Sequence, residues 1–347
     1  MKTILVTGGC GFIASNFIHR LLGTGRYFVV NVDKMNYCAN EKNITRNYNL
    51  ETHTLEEVNL QNYRFHKADI NDSVAILALL RRYEVQIVYH FAAQTHVDQS
   101  FGNSLQFVVD NVLGTANLLE CCREYGGIEL FIHVSTDEVY GDVTLDREDV
   151  ILQHGLLSPT NPYSATKASA ELMVKSYHRS YRIPTIITRS NNVYGPRQYW
   201  EKIIPKFIYN VSKQRKCPVY GDGSALRKYL YVDDACEAYL LILEKGVIGE
   251  TYEMNSGEEL SALETTHRII THVAPDSDPD NWIDYVEDRK FHDTRYVVNP
   301  KTLRDLGWAP KITFDDGLRR TVEWYVEYAI PQGHWPYDDA ETANQKF

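Results

Sequence analysis

Several common features are scarce or missing in this sequence. No stretch approaches the roughly 20 consecutive apolar residues of a membrane span, and the apolar run before the first glycines is too short for a signal peptide. The six cysteines form no C-x-x-C pair and have no zinc-site spacing with histidine. Basic residues are outnumbered by acidic ones, 36 to 46. We therefore expect a cytoplasmic protein with reduced thiols, no bound metal, no membrane association and no nucleic-acid partner.

A regular alternation of short β-rich runs and amphipathic stretches fills the first half of the 347-residue chain. The pattern predicts strands at residues 2–6, 28–32, 63–66, 87–91, 130–134 and 185–188, and helices at residues 14–22, 73–82, 111–124 and 165–181. This order is typical of a parallel sheet that is covered by helices on both faces. The predicted fold class is therefore α/β, with a Rossmann-type doubly wound parallel sheet.

The first predicted strand runs directly into a glycine-rich turn. Gly8 and Gly11 allow a tight backbone that a pyrophosphate can approach, and the following helix offers free N–H groups to the phosphates. Asp33 follows the second strand, 22 residues after Gly11, where a carboxylate accepts the hydroxyls of an adenosine ribose and repels a 2′-phosphate. Lys34, the next residue, favours NADP instead, because its ammonium could pair with a 2′-phosphate. Together these features predict a dinucleotide site that prefers NAD, and they disfavour a glycine turn without a ligand.

Tyr163 and Lys167 stand four residues apart, just after a plausible helix start at residues 161–162. The pKa of a tyrosine phenol is about 10 in water, but a neighbouring ammonium and a cationic nicotinamide would lower it. Tyr163 is then predicted to take a proton from a substrate hydroxyl while hydride leaves the same carbon. Thr136, at the end of the fifth strand, can share the substrate hydrogen bond. The alternative is an amphipathic surface pair, which the preceding dinucleotide turn disfavours.

Two adjacent carboxyl groups, Asp137 and Glu138, decide between reaction types. A simple dehydrogenase or an epimerase needs only the tyrosine and the hydride carrier, so a pair of acids beside the nicotinamide indicates further proton transfers. A solvated acidic turn is the alternative. The apolar residues that flank the pair favour a buried strand end, and we therefore expect both carboxyls to act in the reaction.

With these residues in view, the sequence resembles the extended short-chain dehydrogenase/reductase superfamily, and within it the nucleotide-sugar (dTDP-glucose or UDP-glucose) 4,6-dehydratases. The similarity covers nearly the whole chain. Its motifs lie at residues 92–98, 135–141, 163–167, 191–196, 201–205 and 220–223. The triplet Thr136, Asp137 and Glu138 is the most discriminating of them, because related epimerases and decarboxylases carry other residues there.

The resemblance implies a reaction in three steps on one tightly bound and recycled NAD. Tyr163, assisted by Lys167, deprotonates the C4 hydroxyl during C4 oxidation. Glu138 then removes the C5 proton, and Asp137 protonates the C6 hydroxyl, which leaves as water. Hydride returns to C6, and the product is a 4-keto-6-deoxy sugar for deoxysugar synthesis, such as that of rhamnose.

The resemblance also assigns the binding residues, in a homodimer whose contact is expected near residues 112–125 and 168–181. The expected cofactor-binding residues are Gly8, Gly11, Phe12, Ile13, Asp33, Lys34, Asn36, Asp69, Ile70, Ala92, Ala93, Tyr163 and Lys167. The expected substrate-binding residues are Thr95, Thr136, Asn192, Glu201, Lys202, Arg227, Arg289, His292 and Tyr296. Departures from the bacterial pattern at residues 227–229, 253–257 and 288–291 leave the choice between uracil and thymine open.

The pattern of strands and helices changes after about residue 190, where glycine, proline and aromatic residues become dense. We expect residues 1–189, with 229–255 returning to them, to form the NAD-binding domain. Residues 190–228 and 256–347 are expected to form a smaller α+β lobe that binds the nucleotide sugar. Two alternatives remain: a nucleotide-sugar 4-epimerase, and a non-enzymatic sensor of dinucleotides on the same fold.

Overall fold

A parallel sheet of seven strands carries the elements from which the site is built. The structure is a computed structural model and describes residues 1–143, 156–288 and 293–333. In chain order the strands of the described residues are β1 (Lys2–Thr7), β2 (Tyr27–Asp33), β3 (Arg46–Asn49), β4 (Thr54–Glu57), β5 (Tyr63–Lys67), β6 (Ile87–His90), β7 (Leu130–Val134), β8 (Thr185–Ser190), β9 (Asn192–Tyr194), β10 (Cys217–Tyr220), β11 (Leu226–Tyr231), β12 (Thr251–Met254), β13 (Glu259–Ser261) and β14 (Ile283–Val286).

Helices connect and cover these strands. They are α1 (Phe12–Thr24), α2 (Lys42–Thr45), α3 (Ser73–Arg82), α4 (Val97–Gly102), α5 (Ser104–Phe107), α6 (Gly114–Tyr125), α7 (Pro162–Tyr181), α8 (Ile203–Ser212), α9 (Val232–Lys245), α10 (Ala262–Val273), α11 (Lys301–Asp305) and α12 (Phe314–Glu323). Wider π-type turns occupy Val108–Leu113 and Trp324–Ala329, and tighter 3₁₀ turns occupy Asp137–Tyr140 and Pro279–Trp282.

The main sheet has the strand order β12-β8-β7-β6-β1-β2-β5, and all neighbouring strands in it run parallel. Side chains alternate between its two faces, as the pleat requires. Ile4 and Val6 of β1 pack in one core with α1 and α9, whereas Leu5 packs in the opposite core with α3, α6 and α7. The chain leaves β1 toward β2 on one side and reaches β6 on the other. Such a switch point opens a crevice above the carboxyl ends of the strands.

The predicted doubly wound sheet is confirmed, and the six predicted strands lie in it with ends that shift by no more than two residues. The strand at Thr251–Met254 was not predicted. It is four residues long, and its last three residues, which include the charged Glu253, are all buried. A short strand that is buried on both faces shows no apolar–polar alternation, so its sequence gives no strand signal.

A second group of elements lies beyond the main sheet. It contains the three-stranded sheet β13-β11-β9 and the parallel pair β10 and β14. Phe207 of α8, Ile269 of α10 and Leu318 of α12 share one core in this region. We keep the domain division stated above as a proposal, with this group as the substrate lobe. Among the described residues, no helix has both the length and the apolar character needed to cross a bilayer.

Candidate active site

The glycine turn after β1 has the geometry that a bound pyrophosphate requires. Gly8 has a positive φ of 69°, and a Cβ there would lie 2.8 Å from the backbone of Ala92. The Gly11 N–H donates to the Gly8 carbonyl at 3.1 Å, and α1 begins at Phe12 without a side-chain cap. The first N–H groups of α1 around Phe12 and Ile13 are therefore open to an anion.

The acid at the end of β2 is buried and held by the backbone. The two carboxylate oxygens of Asp33 accept from the N–H groups of Cys10 at 3.0 Å and Met35 at 2.8 Å. Burial raises the pKa of Asp33, and these two hydrogen bonds oppose the rise. The carboxylate is thus fixed beside the glycine turn, in the position expected for an adenosine ribose.

Lys34, the residue that favoured NADP, is already engaged. Its ammonium lies 2.5 Å from Asp110 and 3.9 Å from Asp69. Asp110 also accepts from the side chain of Gln94 at 2.7 Å. A cation that is neutralised by two carboxylates is a weak partner for a 2′-phosphate, so these contacts favour NAD.

The remaining predicted cofactor residues line the same edge of the sheet. Ile70 packs against Gly114, and its carbonyl accepts from Asn117 at 2.6 Å. Ala92 follows β6, and its N–H donates to the Thr7 hydroxyl at 3.2 Å. Asn36, Asp69 and Ala93 lie in loops after β2, β5 and β6.

The Asn161 cap determines where α7 begins and therefore where Tyr163 stands. Its side chain accepts from the Ser164 N–H at 2.8 Å, and its own N–H donates to the Ser164 hydroxyl at 3.2 Å, which together form a capping box. Pro162 occupies the first helical position. The helix begins at Pro162, which agrees with the start predicted at residues 161–162, whereas the amphipathic pattern alone placed the helix from residue 165. Tyr163 and Lys167 consequently project from the first turns of α7 toward the end of β7, where the Lys167 ammonium donates to the Val134 carbonyl at 2.7 Å.

The ionisation of Tyr163 differs from the sequence-based expectation. We expected Lys167 to lower the pKa of the phenol. In the structure burial and the charges of Glu138 and Asp137 raise that pKa, and only a hydrogen bond from Thr136 opposes the rise. Burial lowers the pKa of Lys167 to about 8. The protein alone therefore keeps Tyr163 protonated, and the phenolate has to be favoured by the positive nicotinamide ring.

Thr136 joins the tyrosine to the acidic pair. Its hydroxyl caps the 3₁₀ turn by accepting from the Glu138 N–H at 3.3 Å, and it lies 3.1 Å from Asp137 Oδ1 as a donor. The same hydroxyl acts on Tyr163 by lowering the pKa of its phenol. The predicted catalytic residues of β7 and α7 thus form one connected group.

Both acids of the pair have raised pKa values. Burial raises the pKa of Asp137 to about 6, against hydrogen bonds from Asn191 and Thr136. Burial and the charge of Asp137 raise the pKa of Glu138 to about 7, against a hydrogen bond from Asn161. We expected Asp137 to carry the proton, and the two raised values lie close enough for the pair to share it. Near neutral pH the pair holds about one proton, which is what one acid and one base require.

Some predicted substrate-binding residues lie close enough to this group to act on it through their charge. The Lys202 ammonium donates to the Thr95 carbonyl at 2.8 Å, and Glu201 accepts from the Tyr37 hydroxyl at 3.3 Å. Charges of Lys202 and Arg227 lower the pKa of Glu138, so both cations act on the pair. Asn192 begins β9 at the same edge of the sheet.

Arg227 lies against the chain that follows the segment between residues 288 and 293. Its guanidinium donates to the Asp293 carbonyl at 2.9 Å and lies 4.7 Å from the centre of the Tyr296 ring. The Tyr296 hydroxyl donates to Asp293 at 2.6 Å. The predicted substrate residues Arg289 and His292 lie outside the described residues.

Two asparagines were missed as site residues. Asn191 donates to Asp137 Oδ2 at 2.6 Å, and Asn161 donates to Glu138 Oε2 at 3.2 Å. Each amide therefore stabilises one ionised carboxyl. The available signal was their position, since Asn191 directly follows β8 and Asn161 begins the helix that carries the tyrosine.

A second group of buried charges lies next to the acidic pair, and we name it the Arg189 cluster. It consists of Tyr140, Glu171, Arg189 and Glu253. Arg189 makes a bidentate contact with Glu171 at 2.9 and 2.6 Å and donates to Glu253 at 2.9 Å. The Tyr140 hydroxyl donates to Glu253 and accepts from Arg189. The cluster links α7, the 3₁₀ turn, β8 and β12, and no signal in the sequence predicted it.

Comparisons with known proteins identify the family. The chain matches the family model described as GDP-mannose 4,6 dehydratase over residues 5–321. It is 44% identical over 330 residues to the dTDP-D-glucose 4,6-dehydratase of Bos taurus, with 94% of this chain and 89% of that relative covered. The chain belongs to the nucleotide-sugar 4,6-dehydratases.

A plant protein and a solved bacterial structure are similar to this dehydratase as well. The first is a trifunctional UDP-glucose 4,6-dehydratase/UDP-4-keto-6-deoxy-D-glucose 3,5-epimerase/UDP-4-keto-L-rhamnose-reductase of Arabidopsis thaliana, 44% identical over 327 residues. The match covers 94% of this chain but 47% of that relative, so the chain spans about half its length. The second is DesIV, a dTDP-glucose 4,6-dehydratase from Streptomyces venezuelae with NAD and TYD bound. It has a TM-score of 0.85 and 36% identity, and the match covers 96% of this chain and 99% of DesIV.

The comparisons confirm the predicted superfamily, the Rossmann-type fold class and the enzyme class, a hydro-lyase that uses NAD. The roles of the individual site residues stay predictions.

Proposed function

We propose that this protein converts dTDP-glucose or UDP-glucose to the 4-keto-6-deoxyglucose nucleotide with a tightly bound NAD. The cofactor, when bound, accepts hydride from C4 and returns it to C6. Gly8, Gly11 and the start of α1 would hold its pyrophosphate, and Asp33 would hold its adenosine ribose. The glycine turn, in which a Cβ at Gly8 would meet the backbone of Ala92, and the uncapped start of α1 suit such a group.

The protein's own residues carry the proton transfers. Tyr163 takes the proton of the C4 hydroxyl. The resulting ketone acidifies the C5 hydrogen, which Glu138 removes. Asp137 protonates the C6 hydroxyl as it leaves. The two acids share about one proton between them, and this assignment places it on Asp137 and leaves Glu138 ionised when substrate is bound.

The observation that carries the proposal is the contact of the acidic pair with the tyrosine. Asp137 shares the Thr136 hydroxyl with Tyr163, and the charge of Glu138 acts on the phenol. A 4-epimerase needs no such acids at the reacting sugar, because it ends after hydride returns to C4. A sensor of dinucleotides needs neither the acids nor the tyrosine. Both alternatives share the fold, so fold likeness does not decide between them.

The deciding experiment is incubation of the enzyme with dTDP-glucose and, separately, UDP-glucose, followed by mass spectrometry. Dehydration lowers the sugar mass by one water, whereas epimerisation leaves it unchanged. A Glu138→Gln variant should oxidise C4 and then stall, with absorbance of reduced cofactor near one equivalent per site. Normal dehydration by that variant would contradict the role of Glu138. The control is Asp142→Asn, which should dehydrate the substrate normally. It changes an acid whose carboxylate accepts from the backbone N–H of Thr294.

The choice of base depends on the second lobe. Arg227, Tyr296 and Asp293 form one connected group there. Uracil and thymine differ by one methyl, whose burial contributes only about 1 kcal/mol. We therefore expect both nucleotides to be substrates, with kcat/KM values within about tenfold of each other.

The protein is also proposed to work as a homodimer in the cytoplasm, in a pathway that makes a deoxysugar such as rhamnose. Leu105, Val109 and Leu113 are exposed on successive turns before α6, and Leu172 is exposed on the neighbouring α7. A second copy would cover this apolar strip, which extends the predicted contact toward residue 105. Sedimentation of the wild type and of Leu105→Asp tests this. A monomeric wild type would contradict the proposal.

A further inference from the structure

A cavity outside the catalytic group lies between the loop after β2 and the π-type turn at Trp324–Ala329. Its volume is about 330 Å³, at the lower end of the range of small-molecule sites. Its walls come from the chain at residues 37–48, 197–200 and 324–333. None of the described residues that line it belongs to those predicted for the cofactor or the substrate. The proposed reaction therefore gives this cavity no role.

The charge of the cavity wall is opposite in sign to that of the protein. Lys42, Arg46 and Arg197 line the cavity, and no acid is among the lining residues that the structure describes. The whole sequence has 46 acidic residues against 36 basic ones. Three cations in one wall of such a protein favour an anionic occupant.

Arg197 is held in place without a carboxylate partner. Its guanidinium donates to the side-chain oxygens of Asn16 at 2.6 Å and Asn47 at 2.8 Å, and it forms no ion pair with a described carboxylate. Its φ is 74°, in the left-handed region that residues other than glycine rarely adopt. These two bonds use two of the five N–H groups of the guanidinium, and the others suit the oxygens of a phosphate group.

Aromatic side chains form much of the remaining wall. Seven of the 17 lining residues are aromatic, against 12% of the whole sequence. The rings of Tyr48 and Tyr328 stack with centres 5.2 Å apart, and Tyr37 meets Tyr199 edge to face at 5.4 Å. Aromatic surfaces of this kind bind planar rings such as those of nucleobases.

One wall of the cavity also supports the glycine turn. The Asn40 N–H donates to the Cys10 carbonyl at 2.9 Å, and the Asn43 side chain donates to the same carbonyl at 3.1 Å. Both asparagines line the cavity. An occupant would therefore contact the loop that holds the dinucleotide cradle.

We propose that this cavity is an accessory binding site for an anion with a planar ring, of the size of a nucleoside monophosphate. The phosphate lies on Arg197, with further attraction from Lys42 and Arg46, and the ring lies against the aromatic wall. The inference goes beyond the proposed reaction and does not depend on it.

The probe for the test is AMP, because NAD already fills the adenosine site of the holoenzyme. Titration calorimetry of the full chain with bound NAD should detect AMP binding with a Kd on the order of 0.1 mM. Inorganic phosphate should bind at least about fivefold more weakly, since it has no ring. We expect Arg197→Met to weaken AMP binding at least about tenfold.

Two further variants decide where AMP binds. Lys42→Met/Arg46→Met changes two exposed side chains, so it keeps the test valid if Arg197→Met does not fold, and it should weaken binding at least about threefold. Arg227→Met, which changes the proposed nucleotide-sugar site, should leave the Kd of AMP unchanged. Loss of AMP binding in Arg227→Met would place AMP in that site and overturn the proposal. A wild type that binds no AMP, or that binds phosphate as tightly as AMP, would overturn it as well, and so would an unchanged Kd in Lys42→Met/Arg46→Met.

Discussion

Two groups of acids, buried except for the half-buried Glu138, lie side by side in this protein and differ in how their charge is balanced. In the Arg189 cluster, a guanidinium pairs with Glu171 and Glu253, and a phenol completes the contacts. Asp137 and Glu138 have only amide and hydroxyl donors, with Lys202 and Arg227 acting through their charges. Burial accordingly raises the pKa of both acids of the pair. The comparison teaches that a buried acid with a fixed cation supports the fold, whereas one without it is available for proton transfer.

The two groups each contain a buried tyrosine, which gives the largest expected contrast. Tyr163→Phe removes the group that takes the C4 proton, and we expect kcat to fall by at least about 10³-fold. Tyr140→Phe removes a hydroxyl from the Arg189 cluster and should change kcat by less than about threefold, with a loss of about 1–2 kcal/mol in unfolding free energy. Steady-state kinetics and urea unfolding measure both. Equal losses of activity in the two variants would contradict the distinction between a catalytic group and a structural one.

Removal of the cation from the Arg189 cluster should damage the fold. Arg189→Met leaves Glu171 and Glu253 buried without their partner, and we expect the unfolding free energy to fall by about 3–5 kcal/mol. Urea unfolding measures the change. The control is Arg123→Met, since Arg123 forms an exposed ion pair with Glu120 at 2.5 Å, and we expect no measurable change from it. A stable Arg189→Met protein would show that the cluster contributes little.

Removal of an acid from the catalytic pair should instead raise the unfolding free energy at high pH. The folded pKa of Glu138, about 7, lies above its ordinary value of 4.5, so the folded protein binds the extra proton and loses stability as pH rises through this range. Glu138→Gln avoids that loss. The variant should match wild type near pH 4.5 and exceed it by on the order of 2 kcal/mol at pH 8. Urea unfolding at both pH values measures the difference, and a constant difference would contradict the explanation.

The smallest effect expected is in the pH profile. Full activity needs one proton on the Asp137–Glu138 pair, so kcat/KM should be highest between pH about 6 and about 7. It should fall about tenfold per pH unit outside that range. Tyr140→Phe should leave the profile unchanged, because its hydroxyl belongs to the balanced cluster. A shifted profile in that variant would show that the two groups are coupled.

Sequence patterns predicted most of the fold because its central strands are apolar and separated by amphipathic helices. They also predicted the glycine turn and the tyrosine–lysine pair, whose spacing is set by local geometry. Thr251–Met254 was missed, because a buried four-residue strand lacks alternation. Arg289 and His292 lie outside the described residues and stay predictions.

The ionisation of the site was harder to predict than its composition. Lys167 was expected to act on Tyr163, but its ammonium donates to the Val134 carbonyl. The pKa values of the two carboxyls are raised by burial and, for Glu138, by the charge of Asp137, and the amides of Asn191 and Asn161 oppose these rises. Asn161 and Asn191 are separated from the pair by 23 and 54 positions. Contacts at such separations leave no periodic signal in one sequence.

The glycine turn has a consequence for the chemistry of the thiol that it contains. Cys10 is fully buried between the turn and β2, and burial raises the pKa of its thiol to about 12. The nucleophilic form, the thiolate, is therefore almost absent at neutral pH. Peroxide and alkylating reagents should leave this turn intact, so the enzyme would keep its dinucleotide cradle under oxidising conditions that inactivate proteins with exposed thiolates.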